Sequence, residues 1–394
     1  MTTVNFFSIN REIYWGLFIA LYFFYTGMSA GSFILTSLGA VFGIEKYKKI
    51  AKVGVILALV MLAFAPLHLI IHLAQPGRAL TLFYRINLTS PMSWGVYLLI
   101  LYPAVLVIYA WYLFRQDMVR GLDKGGFKAS FYRFFLFGKT NMSEAAKEHD
   151  RKKQKFFGTL GVPLALLVHG YTGFILGVVE ARAIWYTPLM PFIFLMSAMV
   201  SGTGLFIIVL LLVEKFKLGK INEDIKPLIA DIANLMKWFI FVDAILMIVY
   251  FITLWYSGET SYAAAYYFLY KETGSFLGIE IGVGLLLPFI IVFSKKGRQS
   301  ITAVVIASIM TIIGVLFMRI NFVVGGQRIP LTNGQIPEFV VPGWEVGAIV
   351  AIAAAAVAVL VFIYSIMPMN RPGVEEKTAK TTSIANSNAK GVAQ

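Results

Sequence analysis

The chain alternates long apolar stretches with short polar ones. Each apolar stretch is close to the ~20 residues that a helix needs to cross a bilayer. They lie at roughly 13–42, 51–74, 92–114, 156–180, 187–213, 228–256, 274–294, 299–324 and 344–367. The pattern therefore predicts an all-α polytopic membrane protein with about nine transmembrane helices.

The two ends of the chain differ from these stretches. Residues 1–12 are short and polar, without a convincing signal-peptide cleavage site, and form the predicted N-terminal segment. Residues 368–394 are rich in Lys, Thr, Ser, Asn and Ala. Such a composition cannot bury enough apolar surface to fold, so we expect a disordered tail.

The composition agrees with the membrane class. Hydrophobic residues make up 59% of the chain and charged residues 14%, whereas soluble domains carry about 25% charged residues. The chain has no cysteine. It therefore has no disulfide, no cysteine-ligated zinc and no iron–sulfur cluster of its own.

The net charge of +14 comes from lysine and arginine gathered in alternate loops. These basic loops lie at 43–52, 115–155, 214–227 and 295–298. The positive-inside rule places them in the cytoplasm. We therefore expect a prokaryotic plasma-membrane protein with its N-terminus outside and its C-terminus inside. The loops are suited to anionic membrane lipid, and nucleic acid is not an expected partner.

Ionisable residues inside apolar stretches are the first functional candidates, because burying them in hydrocarbon costs several kcal/mol. His68 and His72 lie one helical turn apart on the second stretch. His169 lies about halfway through the fourth, at the start of the segment HGYTGFILGVVEARAIWYTPLMP (169–191). With the predicted topology, all three lie towards the outer leaflet. The alternative is that these histidines only hydrogen-bond neighbouring helices.

Three motifs carry a resemblance to a known family. They are YFFYTGMSAGSFIL (22–35), HLAQPGRAL with TSPMSWG (89–95), and the 169–191 segment. Together they resemble the NrfD/polysulfide-reductase membrane-subunit family over most of residues 12–327. Many members have an acidic residue where this chain has His72, so proton handling by that carboxylate does not carry over.

The resemblance implies a fold and a set of partners. The fold would be two four-helix bundles, at 13–180 and 187–324, with an additional helix at 344–367. The chain would bind menaquinone or a related quinone and carry no haem. Its partners would be an iron–sulfur ferredoxin-like subunit and a molybdopterin catalytic subunit, docked on the outer face.

Quinone chemistry needs a hydrogen-bond partner for each carbonyl or hydroxyl and a proton route to water. We expect His169 and Tyr171 to contact the quinone, with His68 and His72 as contacts or proton carriers. Tyr171 stands roughly 200° from His169 around the helix, so both reach one ring only across the helix edge. Geometry favours Thr172 as the partner of His169, and the resemblance favours Tyr171.

Further residues complete the expected quinone site. Glu180 lies about three helical turns beyond His169 and is expected on nearly the same face. The full set of expected quinone-binding residues is His169, Tyr171, Thr172, Gly173, Glu180, Arg182 and Gly27. The alternative for Arg78, Arg85, Arg182 and Arg319 is that they only snorkel to lipid phosphate, and Trp94, Trp185 and Trp344 are expected as belt aromatics.

A second group of charges lies deeper. Asp243 on the sixth stretch should lie near the membrane midplane, and Glu280 lies early in the seventh. Bare carboxylates are implausible there. We expect a proton path through Asp243 and Glu280, and an interhelix hydrogen bond is the alternative. The weak similarity between 22–35 and 192–207 suggests a parallel repeat.

The function expected from these features is that of a quinone-reactive membrane anchor subunit. It would exchange electrons between the quinone pool and the iron–sulfur partner of a respiratory oxidoreductase of the polysulfide- or sulfur-reductase type. The alternatives are a hydrogenase-associated quinone-reactive subunit, a haem b cytochrome with His169 and His68 or His72 as axial ligands, and a secondary transporter with broken helices around Asp243. The sequence leaves open the terminal substrate, the direction of electron flow, proton pumping and the quinone type.

Overall fold

The computed structural model describes residues 13–73, 76–77, 81–217, 219, 221–329 and 339–369. Within these ranges it has nine helices long and apolar enough to cross a membrane. They are α1 (Leu17–Val41), α2 (Ala51–His72), α3 (Pro91–Gly121), α4 (Glu144–Gly177), α5 (Met190–Lys217), α6 (Lys226–Tyr256), α7 (Gly274–Phe293), α8 (Ile301–Arg328) and α9 (Gly343–Ile366). The predicted all-α polytopic membrane fold is confirmed. The predictions for residues 1–12 and for the tail from 370 onward lie outside the described residues.

Short helices occupy several of the connections. They are Glu45–Lys48, Thr81–Tyr84, Gly126–Leu136, Glu259–Tyr270 and Lys295–Gln299. In addition, α3 and α4 run well into the long basic segment that was predicted as a loop. A buried ion pair joins them there, with Arg115 Nη2 2.5 Å from Asp150 Oδ2. Hydropathy marks only the apolar part of a helix, so it missed these polar extensions.

One end of the molecule carries the motifs found in the sequence. The backbone N–H of Trp15, just before α1, donates to Gln327 Oε1 near the end of α8 at 3.1 Å. The indole N–H of Trp185, which follows α4, donates to Phe322 O at 2.6 Å. The hydroxyl of Tyr250 on α6 donates to the carbonyl of Ile184. We call this end the motif end.

The opposite end holds the lysine-rich loops, and we call it the basic end. Lys46 pairs with Asp231, and Lys52 pairs with Asp117. The Tyr132 hydroxyl donates to Ile366 O at 2.6 Å, which ties the end of α9 to the long basic segment. The basic loops therefore share one end, as their alternation along the chain predicted. Which side of the membrane that end faces stays a prediction.

Helix α1 lies at the centre and packs against α2, α4, α5 and α8. Its small residues allow this, since a Cβ placed on Gly202 of α5 would lie 2.7 Å from the Cα of Gly31. The Ser32 hydroxyl also donates to Gly202 O at 3.2 Å. The segments 22–35 and 192–207 therefore meet through their small residues. The division into two four-helix bundles stays a prediction.

Helix α9 lies antiparallel alongside α2. At the basic end, the Tyr364 hydroxyl donates to Val53 O at 2.7 Å. At the motif end, the ring of Trp344 lies 6.0 Å from that of Phe18 on α1. The additional helix thus packs against α2, and its first turn contacts α1.

Candidate functional site

His169 lies on α4, and its ring is fully buried. Its Nε2 is 2.7 Å from the carbonyl oxygen of Phe194 on α5. Because a carbonyl can only accept a hydrogen bond, we assign the ring proton to Nε2. The hydroxyl of Thr172 lies 3.5 Å from the other ring nitrogen, Nδ1. The Thr172 hydroxyl donates to the backbone carbonyl of His169 at 2.6 Å, so Nδ1 keeps its lone pair, and the joint quinone contact of His169 and Thr172 stays a prediction.

Arg319 of α8 lies beside His169. Its Nη2 donates to Phe194 O at 3.0 Å and to Ser197 Oγ at 2.7 Å. Its guanidinium carbon lies 3.8 Å from the centre of the Phe194 ring, a cation–π distance. Arg319 is 0% exposed, so the alternative that it only snorkels to the membrane surface does not hold for this residue. It lies more than two turns before the end of α8 at Arg328, and it faces the protein.

Two buried carboxyl groups lie near the same guanidinium. Asp243 and Glu280 both interact electrostatically with Arg319. Both line a cavity of roughly 10 Å³, the space of about one water molecule. Glu280 Oε2 accepts from the amide of Asn321 at 2.7 Å. Asp243 Oδ1 and Glu280 Oε1 are buried without a hydrogen-bond partner among the described residues.

The helices around these carboxyl groups are locally widened. Glu280 lies in a π-helical segment of α7 (Gly274–Leu286), and Asn321 begins a shorter one in α8 (Asn321–Gly325). Departures of this kind are frequent at functional sites. The residues His169, Arg319, Asp243 and Glu280 form what we call the charged cluster.

His68 of α2 is the second buried histidine of the described chain. It is 0% exposed, and its Nδ1 lies 3.0 Å from Phe64 O, so Nδ1 carries the proton. Nε2 then keeps a lone pair, with no hydrogen-bond partner among the described residues. The rings of Tyr25 and Phe18 lie 4.7 and 6.3 Å from the imidazole. Leaving a buried acceptor unpaired costs about 1–3 kcal/mol, so such an atom needs an explanation.

Tyr171 faces the other side of α4. A Cβ placed on Gly95 of α3 would overlap its phenol ring, and its hydroxyl lies 3.4 Å from Met92 O. It also lies close enough to Tyr22 of α1 for the two hydroxyls to interact electrostatically. The motifs at 22–35, 89–95 and 169–191 therefore meet at Tyr171. As helix geometry predicted, Tyr171 and His169 point in different directions.

His72 follows His68 by one turn and is half-buried at the motif end. It interacts electrostatically with Glu345, at the start of α9. Sequence reasoning did not select Glu345. The sequence does show Glu345 as a charge at the start of an apolar helix. It does not show that His72 lies nearby, because the two residues are distant in the chain.

Several residues that were expected in the quinone site lie outside it or make contacts that hold the helices together. Helix α4 ends at Gly177, so Glu180 is not on the helical face of His169, and it is exposed. Arg182 donates from Nη1 to Ile329 O at 2.8 Å, at the end of α8. A Cβ on Gly173 would lie 2.6 Å from Met190 O, so this glycine permits the approach of α5.

Gly27 does lie at the candidate site, because a Cβ there would be 2.8 Å from Cε1 of His169. Trp185 was expected to face lipid in the interfacial belt, but the structure places it inside the protein. It is buried and stacked on Trp15, with ring centroids 5.6 Å apart. Asn321 and Ser197 were not selected from the sequence, since neither is unusual in an apolar helix until its charged partner is known.

The sequence matches the family model described as "Polysulphide reductase, NrfD" over residues 7–330. A selenate reductase subunit of Mesobacillus selenatarsenatis is 30% identical, over 81% of this chain and 75% of the relative. A polysulfide reductase chain of Wolinella succinogenes is 26% identical, over 80% of this chain and 95% of the relative. The menaquinone reductase integral membrane subunit of Nitratidesulfovibrio vulgaris is 25% identical, over 90% of this chain and 83% of the relative.

Proposed function

The chain belongs to the polysulphide reductase NrfD family, and from this premise we propose that it is the quinone-reactive membrane subunit of a respiratory reductase complex. The names of its relatives support this, since they include subunits of selenate, polysulfide and menaquinone reductases. The partners in the proposal are an iron–sulfur ferredoxin-like subunit and a molybdopterin catalytic subunit. They dock on the motif end, which the loop charges predict to face outside.

The observation that carries the proposal is the bare Nε2 of His68. A buried acceptor beside aromatic rings fits a quinol hydroxyl, and the head group is an aromatic ring system of similar polarity. A bound quinol supplies two electrons, which pass to the iron–sulfur partner, and two protons. His68 accepts a hydroxyl proton at Nε2, because no other described group competes for that lone pair.

Tyr171 bounds the same region from the other side. Tyr22 and Tyr25 lie three residues apart on α1 and thus on neighbouring positions of one face. Tyr25 contacts the His68 ring, and Tyr22 lies near Tyr171. The quinol site of this proposal therefore lies among α1, α2, α3 and α4, with His68 and Tyr171 as its polar contacts.

We propose that His169 positions Arg319, whereas the sequence predicted that it would contact the quinone. Its Nε2 proton is held by Phe194 O, and the cation of Arg319 lies 3.2 Å away. A second positive charge at that distance is unfavourable, so His169 stays neutral. It positions Arg319 through the shared carbonyl of Phe194, and it retains an acceptor lone pair at Nδ1.

In this proposal, Asp243 and Glu280 carry protons in the second predicted bundle, residues 187–324. Within the part of the chain that the structure describes, Arg319 is the one cation that acts on these two carboxyl groups. A neutral cluster therefore needs one proton shared by the pair, and neutrality is strongly favoured in a buried site. The alternative was that these carboxyl groups only form interhelix hydrogen bonds. That role does not explain why Asp243 and Glu280 each have an unpaired oxygen beside a water-sized cavity.

The other functional classes receive less support. A transporter site at Asp243 predicts a broken helix, yet α6 runs without interruption through that residue. Haem ligation by His169 through Nε2 would break its hydrogen bond to Phe194 O. A hydrogenase-associated subunit would share the same quinol site and differ only in its partner.

The test replaces His68 with Asn in the assembled complex. The Asn amide can still donate to Phe64 O, but the variant lacks the Nε2 acceptor. We expect oxidation of menadiol to fall by about 100-fold or more, while dye-linked activity of the extrinsic subunits is retained. The matched control is His149→Ala, an exposed histidine at the basic end. Wild-type menadiol turnover in His68→Asn would contradict the proposed site.

A further inference from the structure

A short helix at the basic end, Gly126–Leu136, carries phenylalanines on the side that faces away from the protein. We call it the phenylalanine helix. Phe127 and Phe134 lie seven residues apart, and thus on one face, and they are 70% and 71% exposed. The opposite face is buried against the bundle through three residues, Ala129, Tyr132 and Leu136. Exposed apolar patches mark interaction surfaces, so the outer face requires a partner.

Phe137 follows the last residue of the phenylalanine helix and has a backbone conformation that is rare for its type. Its φ of 47° and ψ of 38° are left-handed, a conformation that glycine usually supplies at this position. Among the described residues, no other non-glycine residue has a positive φ, and for a bulky side chain it is strained. The ring is 71% exposed, so the strain is not offset by burial within this chain.

The phenylalanine helix lies beside the membrane-spanning part of α3. A Cβ on Gly121, the last residue of α3, would lie 2.5 Å from the Tyr132 ring. Further along, the indole N–H of Trp111 donates to Phe135 O at 2.8 Å, and Trp111 belongs to the apolar stretch 92–114. The helix therefore runs back along α3 to the level of its apolar part. An apolar outer face at that depth meets the boundary between lipid head groups and acyl chains.

Cations flank the exposed rings. Arg133 and Lys139 are exposed, and neither pairs with a carboxylate of the described residues. The segment 115–155 contains eleven lysines and arginines against five aspartates and glutamates. Aromatic rings beside cations are the combination by which interfacial helices bind anionic lipid. A second copy of this chain would bring the same positive charge to the patch, which is unfavourable.

We propose that the phenylalanine helix is a binding site for anionic phospholipid in the leaflet at the basic end. The rings of Phe127, Phe134 and Phe137 enter the acyl region, and the side chains of Arg133 and Lys139 bind lipid phosphate. The site is specific to this helix, because its contacts with α3 hold the rings and the cations in place together. It does not depend on the quinol site, which lies at the motif end.

The first test maps the outer face with spin labels on the full chain, which has no cysteine of its own. The single variants Phe134→Cys and Phe137→Cys are labelled and placed in vesicles of phosphatidylcholine and phosphatidylglycerol. We expect strong relaxation by oxygen, which dissolves in lipid, and little by a water-soluble nickel chelate. Glu144→Cys is the control, an exposed position at the start of α4, and should show the reverse.

The second test removes the two cations in Arg133→Gln with Lys139→Gln. At low ionic strength we expect the preference for phosphatidylglycerol over phosphatidylcholine to fall by about fivefold for each cation removed. Competition between spin-labelled lipids measures that preference. The matched control is Arg85→Gln with Lys271→Gln, which removes one exposed arginine and one exposed lysine at the motif end.

The outcomes separate bound lipid from other occupants of the patch. Labels at positions 134 and 137 that respond to the nickel chelate rather than to oxygen would show that the rings face water, and the proposal would be wrong. An unchanged lipid preference in Arg133→Gln with Lys139→Gln would also refute it. An equal fall in the motif-end control would show a general attraction of charge, which contradicts a site built at this helix.

Discussion

Arg319 Nη2 and His169 Nε2 lie 3.2 Å apart, although the two residues are 150 positions apart in the chain. His169 lies on α4 and Arg319 on α8, the last helices of the two predicted four-helix bundles. Both side chains donate to Phe194 O on α5. The arrangement joins the two halves through polar contacts inside the membrane region. It also sets a permanent cation between a histidine and two carboxyl groups.

The first prediction concerns this cation. Arg319→Met removes the buried positive charge that acts on Asp243 and Glu280, and leaving a buried charge uncompensated costs about 3–5 kcal/mol. We expect a large loss of thermal stability in the purified complex. Adding Asp243→Asn and Glu280→Gln should recover part of it.

Arg328→Met is the matched control, because its pair with Glu272 is partly exposed, with side chains 32% and 19% accessible. Such pairs contribute about 0–1 kcal/mol. Equal losses in the two arginine variants would show that Arg319 has no special role.

The second prediction concerns proton movement. Glu280→Gln keeps the contact with Asn321 but removes the proton that the carboxyl pair shares. In proteoliposomes we expect fewer protons moved per menadiol oxidised, with menadiol turnover within about twofold of wild type, because His68 is untouched. Asp231→Asn is the control, an aspartate of α6 that pairs with Lys46 at the basic end. An unchanged proton-to-electron ratio would remove Glu280 from the path.

The third prediction tests the place of Tyr171. Gly95→Ala inserts a methyl group where the phenol ring lies, and overpacking of this kind costs about 1–3 kcal/mol. Displacement of Tyr171 should weaken menadiol binding roughly tenfold, since about 1.4 kcal/mol is a factor of ten. The KM measures it. Gly170→Ala lies on the same helix as Tyr171, and its Cβ would meet nothing within 4 Å, so it should leave the KM unchanged.

The fourth prediction concerns Trp185. Trp185→Phe keeps the stacking on Trp15 but leaves the buried carbonyl of Phe322 without its donor, at a cost of about 1–3 kcal/mol. We expect a lower melting temperature. The comparison is Trp94→Phe, because Trp94 is 54% exposed and water can replace its hydrogen bond. If the two tryptophan variants melt alike, the buried contact contributes nothing.

The sequence by itself determined the number, the approximate position and the type of the membrane helices. This is possible because a run of apolar residues in lipid must satisfy its own backbone, and a helix does so locally. It also determined that the basic loops share one end and that small residues in α1 permit close packing. These are properties of neighbouring residues.

Tertiary structure alone decided which polar groups meet. Hydropathy did not show that Arg319 and Trp185 face the protein, because it does not report which side of a helix or connection is packed. It did not show that α4 ends before Glu180, or that Arg319 meets Phe194 O beside His169. Each of these depends on the rotation and contacts of helices distant in the chain, and a buried charge is stabilised only by the partner that such packing supplies.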